Sequence, residues 1–279
     1  MTQASPRPLH RLTPLLDDPL VAWLTPPQRL RVAMTGWVRW GAFGVLWLFI
    51  WYACLVLLPG LIIPTVIALS IGAALALPWR RMILRTQAER ATELIRTSAP
   101  AEARAVDDLA ALGEQPDGTI VSLVGWVQAG AQLAEPVCGE PAIGLAMACH
   151  QKYPGVLETL NDFELVDEAG NVARVQVAGA RMLGESNVNL TDAHARRMLV
   201  ASLDLPVGAV ATGWDAFVLR NGDPVMVIGF KQTALDPTRS GVRATPTSAA
   251  VSSLAPKPLL IFPIAAERRG QAPTMFNIS

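Results

Sequence analysis

Residues 40–79 read WGAFGVLWLFIWYACLVLLPGLIIPTVIALSIGAALALPW, and from Trp40 through Pro78 there is no Asp, Glu, Lys, Arg or His. As one helix this run would be about 58 Å long at 1.5 Å per residue, nearly twice a hydrocarbon core of about 30 Å. A break is written in its middle. Pro59-Gly60 is a turn signal, and Pro64 suits the first turn of a following helix. The reading is two membrane spans, 40–58 and 61–77, joined by a tight turn within a hairpin segment at 37–79. A single re-entrant hairpin is the alternative.

The flanks fit this reading. Trp37, Trp40 and Trp79 stand where an aromatic belt meets the headgroups. Arg29, Arg31 and Arg39 precede the first span, Arg80, Arg81 and Arg85 follow the second, and the turn carries no charge. By the positive-inside rule both ends face the cytoplasm. The membrane-anchoring residues are thus Trp37, Arg39, Trp40, Trp79, Arg80 and Arg81. Ala68, Gly72 and Ala76 form a stripe of small residues at a four-residue spacing, which lets a partner backbone approach, and Gly41 and Gly44 are the expected receivers. The stripe serves packing within the hairpin or homodimerisation through the second span. No ionisable group lies within either span, so nothing resembles a proton relay or ion path.

Outward from the hairpin the chain is ordinary in its charge. The whole sequence has 279 residues, 16% charged, with 23 basic and 23 acidic side chains. Residues 1–36 form a cytoplasmic lead-in whose Asp18-Pro19 and Thr25-Pro26 each set a capping side chain before a proline. No cleavable secretory signal fits, because the first apolar run begins near residue 40 behind an arginine-bearing segment. Residues 80–117 read as a juxtamembrane helix over 80–98, a linker around Pro100 and a helical turn at 106–112.

From Gly118 the pattern turns to β. Strands are expected at 119–128, 142–149, 163–166, 172–177, 207–219 and 225–230, with a helix at 191–202. Asp167–Asn171 and Arg220–Pro224 are hairpin connections rich in turn formers. The fold class is an α-helical transmembrane hairpin followed by a mostly β soluble domain, a small OB-like barrel with one inserted helix at 118–235. Residues 236–279 read as a loose segment, in which 259–262 adds a strand.

The segments Thr119–Val127 (TIVSLVGWV), Leu133–Pro141 (LAEPVCGEP), Phe163–Val175 (FELVDEAGNVARV) and Leu205–Gly213 (LPVGAVATG) carry a resemblance. Over about 118–235 the chain resembles the GIDE (BAM) domain of mitochondrial MULAN-type E3 ubiquitin ligases and of bacterial membrane proteins. Cys138 stands where that family has Ser, Ala142–Leu145 replaces its Cys-Val-Tyr-Tyr-like strand, and both spans precede the domain instead of flanking it. The resemblance implies a GIDE-type barrel at a bacterial inner membrane. It implies no ligase activity, because no Cys/His set for a RING follows.

Chemistry is sparse. The three cysteines, Cys54, Cys138 and Cys149, exclude a four-cysteine zinc module, and the gap from Cys138 to Cys149-His150 does not match structural zinc spacing. No phosphate-binding loop, dinucleotide fingerprint or nucleophile elbow is present. His194, beside Arg196 and Arg197, reads as a surface residue, and Glu164, Asp167 and Glu168 as a solvated hairpin end. Residues 97–173 hold twelve acids against two basic residues, Arg104 and Lys152, a local charge of −10 that repels phosphates. The reading is a multi-pass membrane protein with both termini and the soluble domain cytoplasmic. No catalytic, cofactor or metal residue is assigned. Its expected partners are membrane lipid and another protein, with no nucleic acid. The function is that of a non-enzymatic interaction or assembly module, and the alternative is an auxiliary subunit of a membrane enzyme or of a ubiquitin-like conjugation system.

Overall fold

The computed structural model describes residues 19–57, 60, 62–129, 133–134, 141–149, 156–184, 188–190, 214–235 and 247–264. Contacts divide the chain into a helical unit within residues 10–94 and a β unit within residues 95–279.

The helical unit begins with a 3-10 turn, Pro19–Trp23, followed by α1, Pro26–Leu57, and α2, Ile62–Glu102. Thr25 caps α1. Its backbone N–H donates to the Gln28 side chain at 2.8 Å and its carbonyl accepts from Arg29 N at 2.9 Å, a capping-box arrangement just before two prolines. The chain turns between the helices at Gly60, whose φ of 85° is costly for any residue with a Cβ. The break therefore falls where Pro59-Gly60 places it. Both helices overrun the expected spans. α1 starts fourteen residues before Trp40, and α2 runs on through Pro78 and Pro100 to Glu102, absorbing the expected linker.

Tryptophans hold the hairpin in register. Trp47 Nε1 donates to Ala68 O at 3.1 Å, Trp51 Nε1 to Thr65 Oγ1 at 3.3 Å, and Trp79 Nε1 to Arg39 O at 3.1 Å. Further along, Gln87 Nε2 donates to Val32 O at 3.3 Å. Each pair lies nearly symmetrically about residues 58–61, as an antiparallel hairpin requires. Interhelical hydrogen bonds in membranes average only about 0.6 kcal/mol, so their main effect is to give these three indole N–H groups acceptors.

Close approach comes from small residues. A Cβ on Gly72 would sit 2.6 Å from the Trp47 ring, and one on Gly36 would collide with the Gln87 amide. Open space surrounds Gly41 and Gly44. At 3.6 residues per turn Val32, Gly36, Phe43 and Trp47 share one face of α1, whereas Gly41 falls on the far side. The receiver of the small-residue stripe is thus Trp47, with Gly36 making the second close contact.

The β unit is built on a ring. Its strands are β2 (Ile120–Ala129), β7 (Phe163–Val166), β8 (Val172–Val175), β12 (Pro224–Leu235) and β13 (Thr247–Ser252). β2 pairs antiparallel with β7, β7 with β8, β8 parallel with β13, β13 antiparallel with β12, and β12 antiparallel with β2. Five strands close on themselves. Alternation along β2 sends Val121, Leu123 and Val127 into the core with Phe163, Leu165, Val175, Val227 and Val251. Gly125 permits closure, since a Cβ there would lie 2.5 Å from the Val166 carbonyl oxygen.

Additional strands decorate the ring. β1 (Arg104–Val106) runs parallel to β2, β14 (Leu260–Pro263) lies antiparallel to β12, and β9 (Arg181–Met182) lies parallel to β14. β5 (Gly144–Cys149), β6 (Val156–Leu160), β10 (Val188–Leu190) and β11 (Trp214–Leu219) form a second sheet, and β3 (Leu133–Ala134) pairs with β4 (Pro141–Ala142). β7 falls where the sequence places it, β2, β5 and β11 overlap their expected strands, β8 ends two residues early at Val175, and β12 runs five residues beyond its expected end to Leu235. The expected helix at 191–202 and the start of the 207–219 strand lie outside the described residues. Within 247–264, the described part of the segment expected to be loose, β13 departs from expectation by closing the ring, whereas the strand expected at 259–262 is present as β14, with Leu259–Phe262 buried. Ser/Thr/Pro/Ala composition hid β13, because its backbone pairs with β8 and β12 supply what its side chains do not advertise.

A chain ending after Leu235 tests this closure. It should fail to fold its β unit, losing β circular dichroism and becoming protease-sensitive, because β8 and β12 would each lose a partner and Leu259–Phe262 would leave the core. A truncated chain with undiminished β signal and an unshifted urea midpoint contradicts the ring.

Candidate functional site

Four acids of the 97–173 stretch, Asp107, Asp108, Asp167 and Glu168, line a cleft of about 790 Å³ together with Trp126 and Ile264 among others. Its geometry follows from the β7–β8 hairpin. Asp167 directly follows β7 and is 5% exposed, so it is buried and not solvated. Its carboxylate accepts from Leu109 N at 3.0 Å, from Asn171 N at 2.8 Å and from Asn171 Nδ2 at 3.2 Å. Asp108 caps the 3-10 turn Leu109–Glu114 by accepting from Ala110 N at 2.8 Å, and Asn171 Nδ2 reaches it at 2.9 Å. Two carboxylates thus tie hairpin to turn, which carries Leu109 and Leu112 into the core.

Function and structure divide this cluster. A hydrogen bond to a charged acceptor contributes roughly 1.5–3 kcal/mol where it is buried, which makes Asp167 a structural residue, whereas the bonds of exposed Asp108 are screened by water and serve to cap the turn. Asp107, Glu168 and, on β7, Glu164 are exposed carboxylates. Glu164 faces Arg174 across the strand pair. Trp126 stands on the face of β2 opposite Leu123 and Val127 and is 6% exposed, and its Nε1 has no hydrogen-bond partner among the described residues. The cleft therefore offers peripheral carboxylates beside one buried indole donor. No nucleophile–base pair lies among these residues.

A second polar feature went unnoticed in the sequence. Lys231 of β12 is 5% exposed, and its Nζ donates to Asp117 Oδ1 at 2.6 Å and to Thr233 Oγ1 at 3.1 Å. Thr233 Oγ1 in turn donates to Asp117 Oδ1 at 2.9 Å. The hydrogen bond from Lys231 is the main cause that lowers the Asp117 pKa, followed by that from Thr233, and desolvation opposes them. The partners are 114 residues apart, so only the pairing of β12 with β2 brings them together.

The residues expected to anchor the hairpin lie on the helical unit. Trp37 is 78% and Trp40 42% exposed, while Trp79 donates to the carbonyl of Arg39 and packs 5.5 Å from the Phe43 ring. Arg39 NH1 also donates to Thr86. Arg80 is exposed, and Arg81 lies in the α2 backbone. In the small-residue stripe Ala68 is fully buried, Gly72 abuts Trp47 and Ala76 is half-buried. Cys54 is a half-buried free thiol. Cys149 ends β5, whereas His10, Cys138, His150 and His194 lie outside the described residues. Among the described residues no group of three His, Cys, Asp or Glu could hold a metal ion.

No family model, no curated protein and no solved structure matches this chain.

Acid should loosen the Lys231 contact. A carboxylate whose folded pKa is depressed contributes stability above its ordinary value and loses it as pH falls through the folded value. The stability gap between the wild-type chain and Asp117→Asn, read as the difference of urea midpoints, should be present at neutral pH and shrink below the ordinary aspartate range. A gap independent of pH contradicts a stabilising ion pair.

Proposed function

We propose that α1 and α2 cross a membrane as a hairpin anchor and carry an OB-type barrel that binds a partner protein. The observation that carries the anchor is exposure. Both helices hold a window of mean hydropathy 1.9, and Val45, Phe49, Leu57, Ile62, Val66 and Leu77 are each at least half exposed. At about 25 cal/mol per Å² of apolar surface, exposing such a hairpin to water is costly, which supports its solvation by lipid. Arginines on both flanks and an uncharged turn support cytoplasmic termini and a cytoplasmic β unit at a bacterial inner membrane.

The OB assignment rests on strand order. Numbered along the ring strands alone, the neighbours run first, second, third, fifth, fourth and back to first, with the third and fifth parallel. This order, with the Phe163–Val175 motif on the second and third strands, supports the likeness to the GIDE domain. The small-residue stripe is filled by Trp47 of the same chain, which supports packing within the hairpin over a dimer.

The surface argues for a protein partner. Fold analogy points to oligonucleotides, yet charge acts on every phosphate approached, and residues 97–173 carry −10. Asp107 and Glu168 beside the Trp126 indole suit a basic peptide segment. The full chain in detergent should bind neither single-stranded DNA nor RNA by fluorescence anisotropy at low or physiological salt. Micromolar binding that weakens steeply with salt would falsify the protein-module reading.

A further inference from the structure

The acidic cleft has its origin in strand pairing. β12 lies along one edge of β2 from Ile120 to Trp126, and the other edge is shared, with β1 on Val121–Leu123 and β7 on Trp126–Ala129. Val124 and Gly125 stay unpaired on that edge. β1 and β7 both run toward this gap and turn away at it as Asp107-Asp108 and Asp167-Glu168. Among the described residues no basic side chain is on the cleft's lining. Ile264 is on it, and its N–H donates to Pro224 O at 3.0 Å, so the end of β14 delivers the chain to the cleft. The five residues that follow are Ala265-Ala266-Glu267-Arg268-Arg269, beyond the described residues. Resting on the reading of this cleft as a site for basic segments, we propose that its resident occupant is the chain's own segment 265–271, with Arg268 and Arg269 pairing with Asp107 and Glu168, and that a partner binds by displacing it.

Charge and connectivity select this occupant. Asp108 and Asp167 are engaged by the turn and the hairpin, whereas Asp107 and Glu168 are exposed and make no hydrogen bond or ion pair among the described residues. Among those residues no group of three acids could hold a metal ion, so a compact cation is a poor fit. Two adjacent guanidinium groups suit two separate carboxylates, each with paired N–H donors. Val124 and Trp126 stand on the outer face of β2, opposite Leu123 and Val127, and both line the cleft. Trp126 is 6% exposed and its Nε1 has no acceptor among the described residues; a main-chain carbonyl of an entering peptide supplies one. Reach is sufficient, since Arg268 is four residues past Ile264, about 13 Å of extended chain before its side chain is counted. A tethered segment also acts at an effective concentration on the order of millimolar, which a second copy of the chain does not match.

The test uses the full chain in detergent and its own protease site, since trypsin cuts after arginine and intact mass reports loss of the residues beyond Arg268 or Arg269. Asp107→Asn with Glu168→Gln should speed that cut roughly tenfold over wild type at low salt, and the difference should shrink as salt screens the pairing. Circular dichroism and the urea midpoint check the fold of the variant. Glu168→Gln alone, on an exposed hairpin residue, should move the rate the same way. A labelled peptide of residues 265–271 gives the second arm, read by fluorescence anisotropy. The chain with Arg268→Gln and Arg269→Gln should bind it about tenfold more tightly than wild type, because its cleft is empty, and adding the two acid substitutions should remove that binding. Equal trypsin rates, or equal peptide affinity with and without the tail arginines, overturn the resident tail. The cleft stands as a basic-segment site if the peptide still binds through Asp107 and Glu168. No peptide binding by any of these chains overturns both.

Discussion

Thirty-nine consecutive residues without Asp, Glu, Lys, Arg or His, Trp40 to Pro78, set the terms for everything else. In an apolar surrounding each backbone N–H and carbonyl must be satisfied within the chain, which leaves helices as the solution for a single segment. Length then forces a break, and Gly60 provides it. Once the chain doubles back, indole groups become a liability unless their N–H groups find acceptors. Trp47, Trp51 and Trp79 find them on the opposite helix, or on its side chains. The pairing is weak bond by bond. It is specific because the alternative registers leave donors unpaired.

The β unit obeys a different economy, in which water is available and edges are the hazard. Closing five strands removes most of the unpaired edge that a flat sheet would present. The closure depends on β13, contributed by a segment far along the chain, and on Gly125, where a side chain would meet the neighbouring strand. Buried aliphatic side chains contribute roughly 1.5–3 kcal/mol each and dominate the ring's stability. The polar ties, Asp167 to the 3-10 turn and Lys231 to Asp117, decide local shape. The first holds the acidic cleft in place, since the bonds that occupy Asp108 and Asp167 leave Asp107 and Glu168 at its rim.

How far the sequence could be read depended on whether a signal was local. The hairpin break, the β7–β8 connection and the capping of α1 by Thr25 are written in adjacent residues, and each was legible. Helix register was not. Gly41 and Gly44 look like receivers by composition, yet helical periodicity turns Gly41 away from α2 and puts Gly36 and Trp47 against it. Long-range pairing was also invisible: nothing near Lys231 announces Asp117, and nothing in residues 247–252 announces the strand that closes the ring. Asp167 looked like one more acid in a turn because burial depends on what packs over it.

The central claim is that these helices form a membrane hairpin with the barrel on the arginine-rich side. Paired reporter fusions test it most directly. A reporter active only in the cytoplasm, fused after Ser279, should be active, and an outside-active reporter inserted at Gly60 should also be active, with each silent in the other position. An outside-active signal at the C-terminus, or a cytoplasmic signal at Gly60, contradicts the account.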